Sequence, residues 1–531
     1  FNHNLNINGG TDKIKYAVGY DYTHDKAIME NSNFSRNNIS LKLQTQPWKG
    51  WKLDYNVRFS RTKIRGGGAN DASTTLDTDK RLKYSVIYTP FPLDGFNSDA
   101  GAGDQDFGNL YNPIEAIYDN DRQQVRQTLN MNGSAQWEIF KDFKVKSEVG
   151  YETYQNKDQR FFGSTTYYAK TFLNHVDPMS GKAYPAIRIT DANRNRFRNT
   201  NTISYDFKKV LKNKDHHLNA LVGHEYVITK LETATATNTD FPVSITADQA
   251  WKLTSLGTGD ANHIGTNSNS FVDFYAPDDK LLSYFTRWNY DYQSKYLLSA
   301  TFRADASSKF SSSNRWGYFP SAAAAWRISA EPFMKGTEDW LSDLKLRFSY
   351  GTAGNNNIPS GQLIQEYTSG TTTWVNNYNT YWAPTKVMAN PDLKWETTIT
   401  RNLGIDYSLW GGKLNGSVEL YLNTTKDLLI NFKTSGTGYD TQYRNMGKTQ
   451  NKGLEITLNY DAINKKDYGL NFNFNVGFNK NEIKSLGVMD DFGAETYWGS
   501  SDVGNDYWIA VGGSVGQMYG YKAAGRYEVS D

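Results

Sequence analysis

The sequence lacks several residue types and motifs that whole classes of proteins require. None of its 531 residues is a cysteine, which excludes disulfides, thiol catalysis and cysteine-ligated metals. It has 7 histidines and neither a P-loop nor an H-E-x-x-H motif, so catalysis finds little support. Its 58 basic and 56 acidic residues nearly cancel, and a net charge of +2 predicts no nucleic-acid partner. No run approaches the roughly 18 consecutive apolar residues of a membrane-spanning helix.

Aromatic residues and alternating polarity are abundant instead. The mean hydropathy of the chain is −0.68, yet aromatic residues make up 15% of it. So many aromatic rings are hard to place in the core of an ordinary soluble protein. In residues 469–479, GLNFNFNVGFN, each large apolar residue is followed by asparagine or glycine. Because neighbouring side chains of a strand point to opposite faces, this strand has one apolar and one polar face. The apolar face belongs either in the core of a soluble sandwich or against the lipid around a membrane barrel.

The same alternation recurs along the chain. It is found at residues 38–44, 51–60, 130–139, 143–151, 296–305, 344–351, 403–409, 414–423 and 454–460. A tilted strand crosses a bilayer with about 9–11 residues, and we count roughly 16 to 20 segments of this kind, a number that closed outer-membrane barrels use. No long amphipathic helix is predicted.

The predicted connections are of two kinds. Short ones lie at residues 44–51, 140–143, 290–296 and 409–414, and long polar ones at residues 62–83, 94–124, 177–199, 229–280 and 352–394. Short turns at one end and long loops at the other are typical of outer-membrane barrels, with the long loops outside the cell.

Aromatic residues concentrate beside the short connections. They are Trp48, Trp51, Trp137, Phe140, Phe143, Phe207, Tyr290, Tyr292, Tyr296, Trp410 and Tyr460. Amphipathic rings favour the headgroup level of a bilayer, so this set predicts the aromatic belt at the turn end of a barrel. The three patterns together predict an all-β fold, a transmembrane antiparallel β-barrel with short periplasmic turns and long extracellular loops.

Several longer motifs resemble those of SusC-like TonB-dependent outer-membrane transporters of the Bacteroidetes, the RagA/SusC type. The central match is RADASSKFSSSNRWGYFPSAAAAWRIS at residues 303–329. Others are HNLNINGGTDKIKY (3–16), YGTAGNNN (350–357), NPDLKWETT (390–398), NMGKTQNKGLEI (445–456) and VGGSVGQMYGYKAAGRY (511–527). They follow the family's order and span nearly the whole chain.

The resemblance implies a 22-stranded barrel filled by an N-terminal plug and capped by a SusD-like surface lipoprotein. It implies import of oligosaccharides or peptides with energy from the TonB complex, without a cofactor. On this reading residues 1–531 are an incomplete barrel domain. We expect the signal, the plug, the TonB-contacting segment, the first strand and the last few strands to lie outside the chain.

Two aromatic stretches are the best candidates for substrate contact. Rings in loops could stack on sugars while amides bond to hydroxyl or peptide groups; packing of loop against loop or against the lid is the alternative. The candidates are Tyr367, Trp374, Asn376, Asn377, Tyr378, Tyr381 and Trp382, with Tyr497 and Trp498 beside Tyr507 and Trp508.

Charged residues on the polar side of two strands are predicted to face the lumen. Arg303 and Asp305 alternate with apolar residues near the outer end of one strand, and Lys345 and Arg347 do so in another. An inner face of a sandwich core would not tolerate these charges, which favours the barrel. They are expected either to hold a plug by ion pairs or to form a hydrated wall.

Metal binding has weaker signals. The acidic stretch with Asp94, Asp99, Asp104 and Asp106 could bind Ca²⁺ in an outer loop, but it lacks the spacing of an EF-hand, and a solvated loop is the better interpretation. The pair His216 and His217 is interpreted as a polar turn rather than as metal ligands.

Two other functions remain alternatives. A non-transporting SusC-like subunit of a larger surface assembly would lack the TonB-contacting segment in the full-length protein. A surface glycan hydrolase would need two opposed carboxylates about 5 to 10 Å apart.

Overall fold

An antiparallel β-sheet dominates the fold of the computed structural model. The structure describes residues 1–66, 113–166, 168–173, 175–211, 215–259, 269–275, 277–372, 379–434, 436–494, 505–522 and 525. The strands of the main sheet are β1 (Asn2–Gly10), β2 (Ile14–Lys26), β3 (Asn33–Thr45), β4 (Trp51–Arg65), β5 (Asn120–Phe140), β6 (Phe143–Phe162), β7 (Ala186–Asp206), β8 (His216–Asn238), β9 (Ser270–Tyr275), β10 (Asp279–Tyr292), β11 (Tyr296–Ser307), β12 (Trp316–Arg327), β13 (Leu341–Asn355), β17 (Glu396–Leu409), β18 (Leu414–Lys426), β21 (Lys448–Asn464) and β22 (Gly469–Ser485).

Smaller elements lie in the connections at both ends of this sheet. Further strands are β14 (Tyr367–Thr372), β15 (Asn379–Pro384), β16 (Val387–Met388), β19 (Leu429–Lys433), β20 (Thr441–Asn445), β23 (Asp491–Ala494) and β24 (Tyr507–Ala510). The helices are α1 (Pro113–Asp119), α2 (Lys208–Leu211) and α3 (Ala247–Lys252). In the described ranges, none of the helices has both the length and the hydrophobicity needed to span a bilayer.

The main sheet is a meander in which each strand pairs with the next one along the chain. Sixteen strands follow this order, β1 to β8, β10 to β13, β17, β18, β21 and β22, and the short β9 adds to the end of β8. Among the described residues, β1 pairs with β2 alone and β22 with β21 alone. The number of crossing strands agrees with the 16 to 20 segments predicted, and the antiparallel all-β fold is confirmed.

In the part of the chain that the structure describes, no second sheet covers the apolar face of the main sheet. In β22, Phe472, Phe474 and Phe478 expose 53%, 56% and 62% of their surface, and Leu470 exposes 45%. The apolar face continues on the neighbouring strand β21, where Leu458 lies opposite Phe474. Half-exposed rings on long strands exclude the sandwich alternative and leave lipid as their environment.

The connections alternate between the two ends of the sheet as predicted. Short turns join β3 to β4, β5 to β6, β10 to β11 and β17 to β18, which confirms all four predicted short connections. We call this the turn end and the opposite one the loop end. Left-handed φ values of 66° and 89° at Gly411 and Gly412 make the last of these turns possible, because glycine adopts them without steric cost.

All five predicted long loops are partly wrong because strands extend into each of them. β7 already begins at Ala186, β8 continues to Asn238 and β13 reaches Asn355. The four strands β5 to β8 have 21, 20, 21 and 23 residues, about twice the 9–11 that cross a bilayer. Their outer halves are polar on both faces, as in Asp191–Arg194, so alternation does not reveal them. The predicted loop at residues 94–124 lies mostly outside the described residues.

The predicted aromatic belt at the turn end is present as a chain of ring contacts. The rings of Trp51 and Trp137 stack at 5.4 Å, and those of Phe140 and Phe143 at 4.7 Å. Tyr205, which was not predicted, connects Phe143 to Phe207. These contacts join adjacent strands beside their turns and confirm that the rings concentrate there.

Compact apolar clusters form at the loop end. In one, Phe310, Phe319 and Leu393 are buried with Trp395, whose indole Nε1 donates to the Arg315 carbonyl at 2.9 Å. A second packs Phe161 and Ile187, at the tips of β6 and β7, against the residues around α3. The buried hydrophobic clusters described here therefore lie at the loop end. Between the two ends, the described wall is a single layer of β-sheet.

Charging the apolar face should destabilise the protein far more than charging the polar face. Phe474→Lys is expected to cost about 2–4 kcal/mol of folding free energy at mid-membrane. Asn473→Lys, one residue away on the opposite face, should cost far less. The measurement is a urea titration of folding into lipid vesicles, and equal costs for the two variants would contradict the assignment of faces.

Candidate functional site

The polar face of the wall carries charges that are paired within the sheet. All four predicted charged residues lie on this face, but in two separate groups. We call Glu225, Ser283, Arg303 and Asp305 the Arg303 cluster, and Lys345, Arg347, Asp406 and Glu419 the Arg347 cluster.

The Arg303 cluster is assembled by three neighbouring strands. Asp305 of β11 lies opposite Ser283 of β10, which lies opposite Glu225 of β8. The guanidinium of Arg303 donates from Nε to Asp305 at 2.7 Å and from Nη2 to Ser283 at 2.7 Å and to Glu225 at 3.2 Å. It also lies 5.3 Å from the centre of the Phe285 ring. Ser283 and Asp305 are buried, so this arginine is held in one position near the loop end.

The Arg347 cluster uses a bidentate pair. Nε and Nη2 of Arg347 donate to the two carboxylate oxygens of Asp406 at 2.8 and 2.7 Å, and Nη2 also donates to Glu419 at 2.8 Å. Lys345 lies further away, 3.8 Å from Asp406. Gly404 faces Arg347 across the strand pair, and a Cβ there would come within 2.9 Å of Nη2. Glycine at this position leaves space for the planar guanidinium.

The two clusters occupy different heights on the wall. The register takes Arg347 through Ala325 to Leu297, six residues before Arg303 on β11 (303 − 297). At about 3.3 Å per residue, that separates the rows by roughly 20 Å. The guanidiniums of Arg303 and Arg347 are each bonded to two carboxylates of their own cluster rather than left as free cations.

The sequence pattern did not identify the acidic partners in these clusters. Asp406 and Glu419 each occupy a polar position between apolar neighbours, as in Val418-Glu419-Leu420, so the alternation places them on the polar face; Glu225 lies between His224 and Tyr226, where the alternation is weaker. Their pairing with a particular arginine depends on the strand register. For Arg347 and Asp406 that register joins residues 59 positions apart.

The first aromatic stretch folds in part as a hairpin at the loop end. β14 pairs with β15 so that Ser369 lies opposite Trp382 and Tyr367 opposite Pro384. Tyr367 and Trp382 are therefore diagonal neighbours on one face of the hairpin, and they expose 60% and 72% of their surface. Tyr381 lies on β15. Trp374, Asn376, Asn377 and Tyr378 lie outside the described residues.

The second stretch is described only at its end. Tyr497 and Trp498 lie outside the described residues, whereas Tyr507 and Trp508 begin β24. The ring of Trp508 contacts that of Tyr519 at 5.2 Å, the loop-to-loop packing that was the alternative for these rings.

The metal candidates are only partly covered by the structure. Asp94, Asp99, Asp104 and Asp106 lie outside the described residues. Within the described ranges, no three acidic or histidine side chains are grouped so that they could hold an ion. His216 Nδ1 lies 2.8 Å from the Tyr290 hydroxyl at the turn end, which agrees with the interpretation of a polar turn.

A buried carboxylate at the turn end was missed by the sequence patterns. Glu331 follows β12 and accepts hydrogen bonds from the Tyr296 hydroxyl at 2.7 Å, the Trp326 indole at 3.1 Å and Lys295 at 3.3 Å. These donors, Tyr296 foremost, hold the pKa of Glu331 below its usual range. The carboxylate fixes the β12–β13 connection to two rings of the aromatic belt.

A family model and two curated relatives all indicate a TonB-dependent receptor. The family model described as "TonB dependent receptor-like, beta-barrel" matches residues 66–527. The TonB-dependent receptor SusC of Bacteroides thetaiotaomicron is 29% identical over 539 residues, which cover 97% of this chain and 48% of that protein. A TonB-dependent receptor of Formosa agariphila is 28% identical, over 99% of this chain and 46% of that protein. The chain thus spans about half the length of the curated relatives it matches.

A solved structure shares the fold. The structure of the RagAB peptide transporter superposes with a TM-score of 0.76 at 22% sequence identity, over 96% of this chain and 53% of that chain. At this level of identity the likeness concerns the fold alone.

Arg347 and Glu419 should prove energetically coupled. Arg347→Gln removes the donor that Asp406 and Glu419 share, although Glu419 keeps its hydrogen bond from Asn402. The variant is expected to lower the free energy of unfolding by about 1–2 kcal/mol, discounted because all three charged groups are about a third exposed. Adding Glu419→Gln should recover part of that loss. Denaturant unfolding of the two single variants and the double variant gives the coupling. Lys345→Gln, expected to cost under about 0.5 kcal/mol, is the control, and additive effects of the first pair would contradict the pairing.

Acid should reduce the contribution of the Glu331 carboxylate to the stability of the fold. Since the folded pKa of Glu331 lies below the ordinary value of 4.5, its contribution to stability is present above that pH and is lost as pH falls through the folded pKa. Comparing the unfolding free energies of wild type and Glu331→Gln from about pH 7 to about pH 3 should show a difference that shrinks on acidification. Glu338→Gln, at an exposed position of the same connection, should show no such trend; a constant Glu331 difference would contradict the assignment.

Proposed function

Because the chain belongs to the TonB-dependent receptor-like β-barrel family, is SusC-like and is an outer-membrane β-barrel, we propose that it forms the wall of an active importer of oligomeric nutrients. The observation that carries this proposal is the division of the wall into a lipid-exposed apolar face and a polar face on which Arg303 and Arg347 are each paired with two carboxylates. The cargo is an oligosaccharide or a peptide that passes without covalent change.

The chemistry of the lumen wall supports a polar, oligomeric cargo. In the Arg303 and Arg347 clusters each guanidinium is bonded to two carboxylates, so neither presents a bare charge that would trap an ion of opposite sign. Asparagines add neutral donors and acceptors, as where Asn289 donates to Asn219 at 2.9 Å. Such a surface exchanges hydrogen bonds with hydroxyl and amide groups at little net cost, which suits transit better than tight binding.

The remaining parts of the importer are proposed from the family. We infer that a plug, a TonB-contacting segment and further strands complete the native barrel, in keeping with a chain that covers about half of its relatives. The Arg303 and Arg347 clusters then offer rigid polar contacts to the plug. A SusD-like lipoprotein would cover the loop end, where the clusters around Phe310 and Phe161 provide a stable rim.

Substrate contact is proposed for the hairpin of β14 and β15. Tyr367 and Trp382 are more exposed than any ring in the apolar clusters and lie on one face of the hairpin. Aromatic faces of this kind stack on sugar rings or on peptide side chains. Tyr381, Trp374, Tyr378, Tyr497 and Trp498, with Asn376 and Asn377, remain candidates for the same surface.

Uptake measurements in cells test the proposal. Cells with the full-length receptor should accumulate a labelled oligosaccharide or peptide, and deletion of either the receptor or TonB should abolish this uptake. Uptake that persists without the receptor would contradict import. Surface assemblies that require the receptor while uptake ignores TonB would support the non-transporting alternative.

A single substitution tests the substrate surface. Trp382→Ala is expected to raise the half-saturating concentration of cargo roughly two- to tenfold, since a stacking contact contributes about 0.5–1.5 kcal/mol. Trp48→Ala removes an equally exposed indole at the turn end and should leave that concentration unchanged. Equal effects of the two variants would remove Trp382 from the substrate surface.

A further inference from the structure

Basic side chains form a band on the outward, apolar face of four adjacent strands, close to the loop end. We call it the basic band, and its members are Arg401 on β17, Lys426 on β18, Lys448 and Lys452 on β21, and Lys480 and Lys484 on β22. Transport through the lumen makes no use of these residues, because they face away from it.

The strand register places the band directly above the apolar belt. Arg401 pairs with Leu422, Leu422 with Lys452, and Lys452 with Lys480. Two residues closer to the turn end on each strand, the corresponding row is Leu403, Leu420, Leu454 and Phe478. With strands about 4.8 Å apart, Lys452 and Lys480 are immediate neighbours and Arg401 lies two strands away.

The band is poorly neutralised. At the described outward positions of these four strands, Glu482 is the sole carboxylate, against six cations. It binds Lys484 at 2.6 Å and lies 3.8 Å from Lys480. Lys480 is 67% exposed. Arg401 lies 5.8 Å from the centre of the Tyr350 ring, and Lys452 is exposed. Arg401, Lys452 and Lys480 therefore have one carboxylate near them on this face, Glu482, which is already bonded to Lys484.

An apolar groove lies directly beneath these cations. It has a volume of about 630 Å³. Its lining includes Phe348, Leu403, Leu420, Leu454 and Phe478, together with the stems of Arg401, Lys452 and Lys480. The five apolar side chains on this surface are open to the surroundings, with Phe348 at 53% and Phe478 at 62%. A hydrocarbon chain in this groove would have its polar end at the cations.

We propose that the basic band and its groove bind a phosphorylated glycolipid of the outer leaflet, that is, a lipopolysaccharide molecule. Its phosphate is recognised by Arg401, Lys452 and Lys480, and one acyl chain fills the groove. Basic clusters at the border of a hydrocarbon region attract anionic headgroups, and a guanidinium binds phosphate with parallel hydrogen bonds. The loop end faces outwards, so the available lipid is the glycolipid of that leaflet rather than a phospholipid of the inner one.

Binding of purified lipopolysaccharide to the detergent-purified full-length receptor tests the proposal by native mass spectrometry. The variant Arg401→Gln, Lys452→Gln, Lys480→Gln is expected to weaken binding by on the order of tenfold or more. The matched control removes three exposed lysines at the turn end of the same strands, Lys413→Gln, Lys465→Gln and Lys466→Gln. It should bind as the wild type does.

Two additional arms identify the chemistry of the ligand. Dephosphorylated lipopolysaccharide should bind wild type and triple variant equally weakly, because the cations recognise the phosphate. Phosphatidylglycerol should show a much smaller difference between these proteins. Equal lipopolysaccharide binding by the triple variant and the turn-end control, or an equal loss with phosphatidylglycerol, would overturn the proposal. The readout does not depend on uptake, so a failure of the proposed transport would leave it standing.

Discussion

The structure depends on one constraint: where a strand meets hydrocarbon, each of its backbone N–H and C=O groups must bond to a neighbouring strand. The meander meets it for the fourteen inner strands, with few interruptions such as the shifts beside Leu341 and Asp461, whereas among the described residues β1 and β22 each pair on one side alone. Side chains are then free to divide into two environments. The outer row presents rings such as Phe474, and the inner row presents groups such as Asn473, so a single layer supports a membrane surface and a wet interior.

That division also explains where conventional packing occurs. Among the described residues the wall has no second layer to pack against, and buried apolar clusters form instead at the loop end, around Phe310 and Phe161. At the turn end, stacked rings and the anchored carboxylate of Glu331 replace a core. Between the ends, charges are stabilised by pairing, as in the bidentate contact of Arg347 with Asp406. Packed rims around a polar wall are in keeping with the importer proposed above.

Much of the fold could be predicted because alternation over a bilayer is a strong local signal. It identified the strands around residues 469–479, the short turns and the aromatic belt. The resemblance to SusC-like receptors was confirmed by the comparisons. Strand extensions such as Asp191–Arg194 were missed because polar residues lie on both of their faces. Partners such as Glu419 for Arg347 follow from register, which short-range patterns do not contain. The aromatic substrate contacts stay predictions, since most of them lie outside the described residues.

The most direct measurement of the central claim uses the absence of cysteine. Single cysteines are introduced at successive positions from Leu470 to Phe478, and each carries a spin label in the reconstituted receptor. The measurement compares how often the label collides with oxygen, which is concentrated in lipid, and with a water-soluble nickel chelate. If one face of the strand meets lipid and the other meets water, the dominant collision partner should alternate from one position to the next. Oxygen should dominate at positions such as Phe474, and the chelate at positions such as Asn473. Labels that show no alternation, or that are shielded from both reagents at every second position, would contradict it.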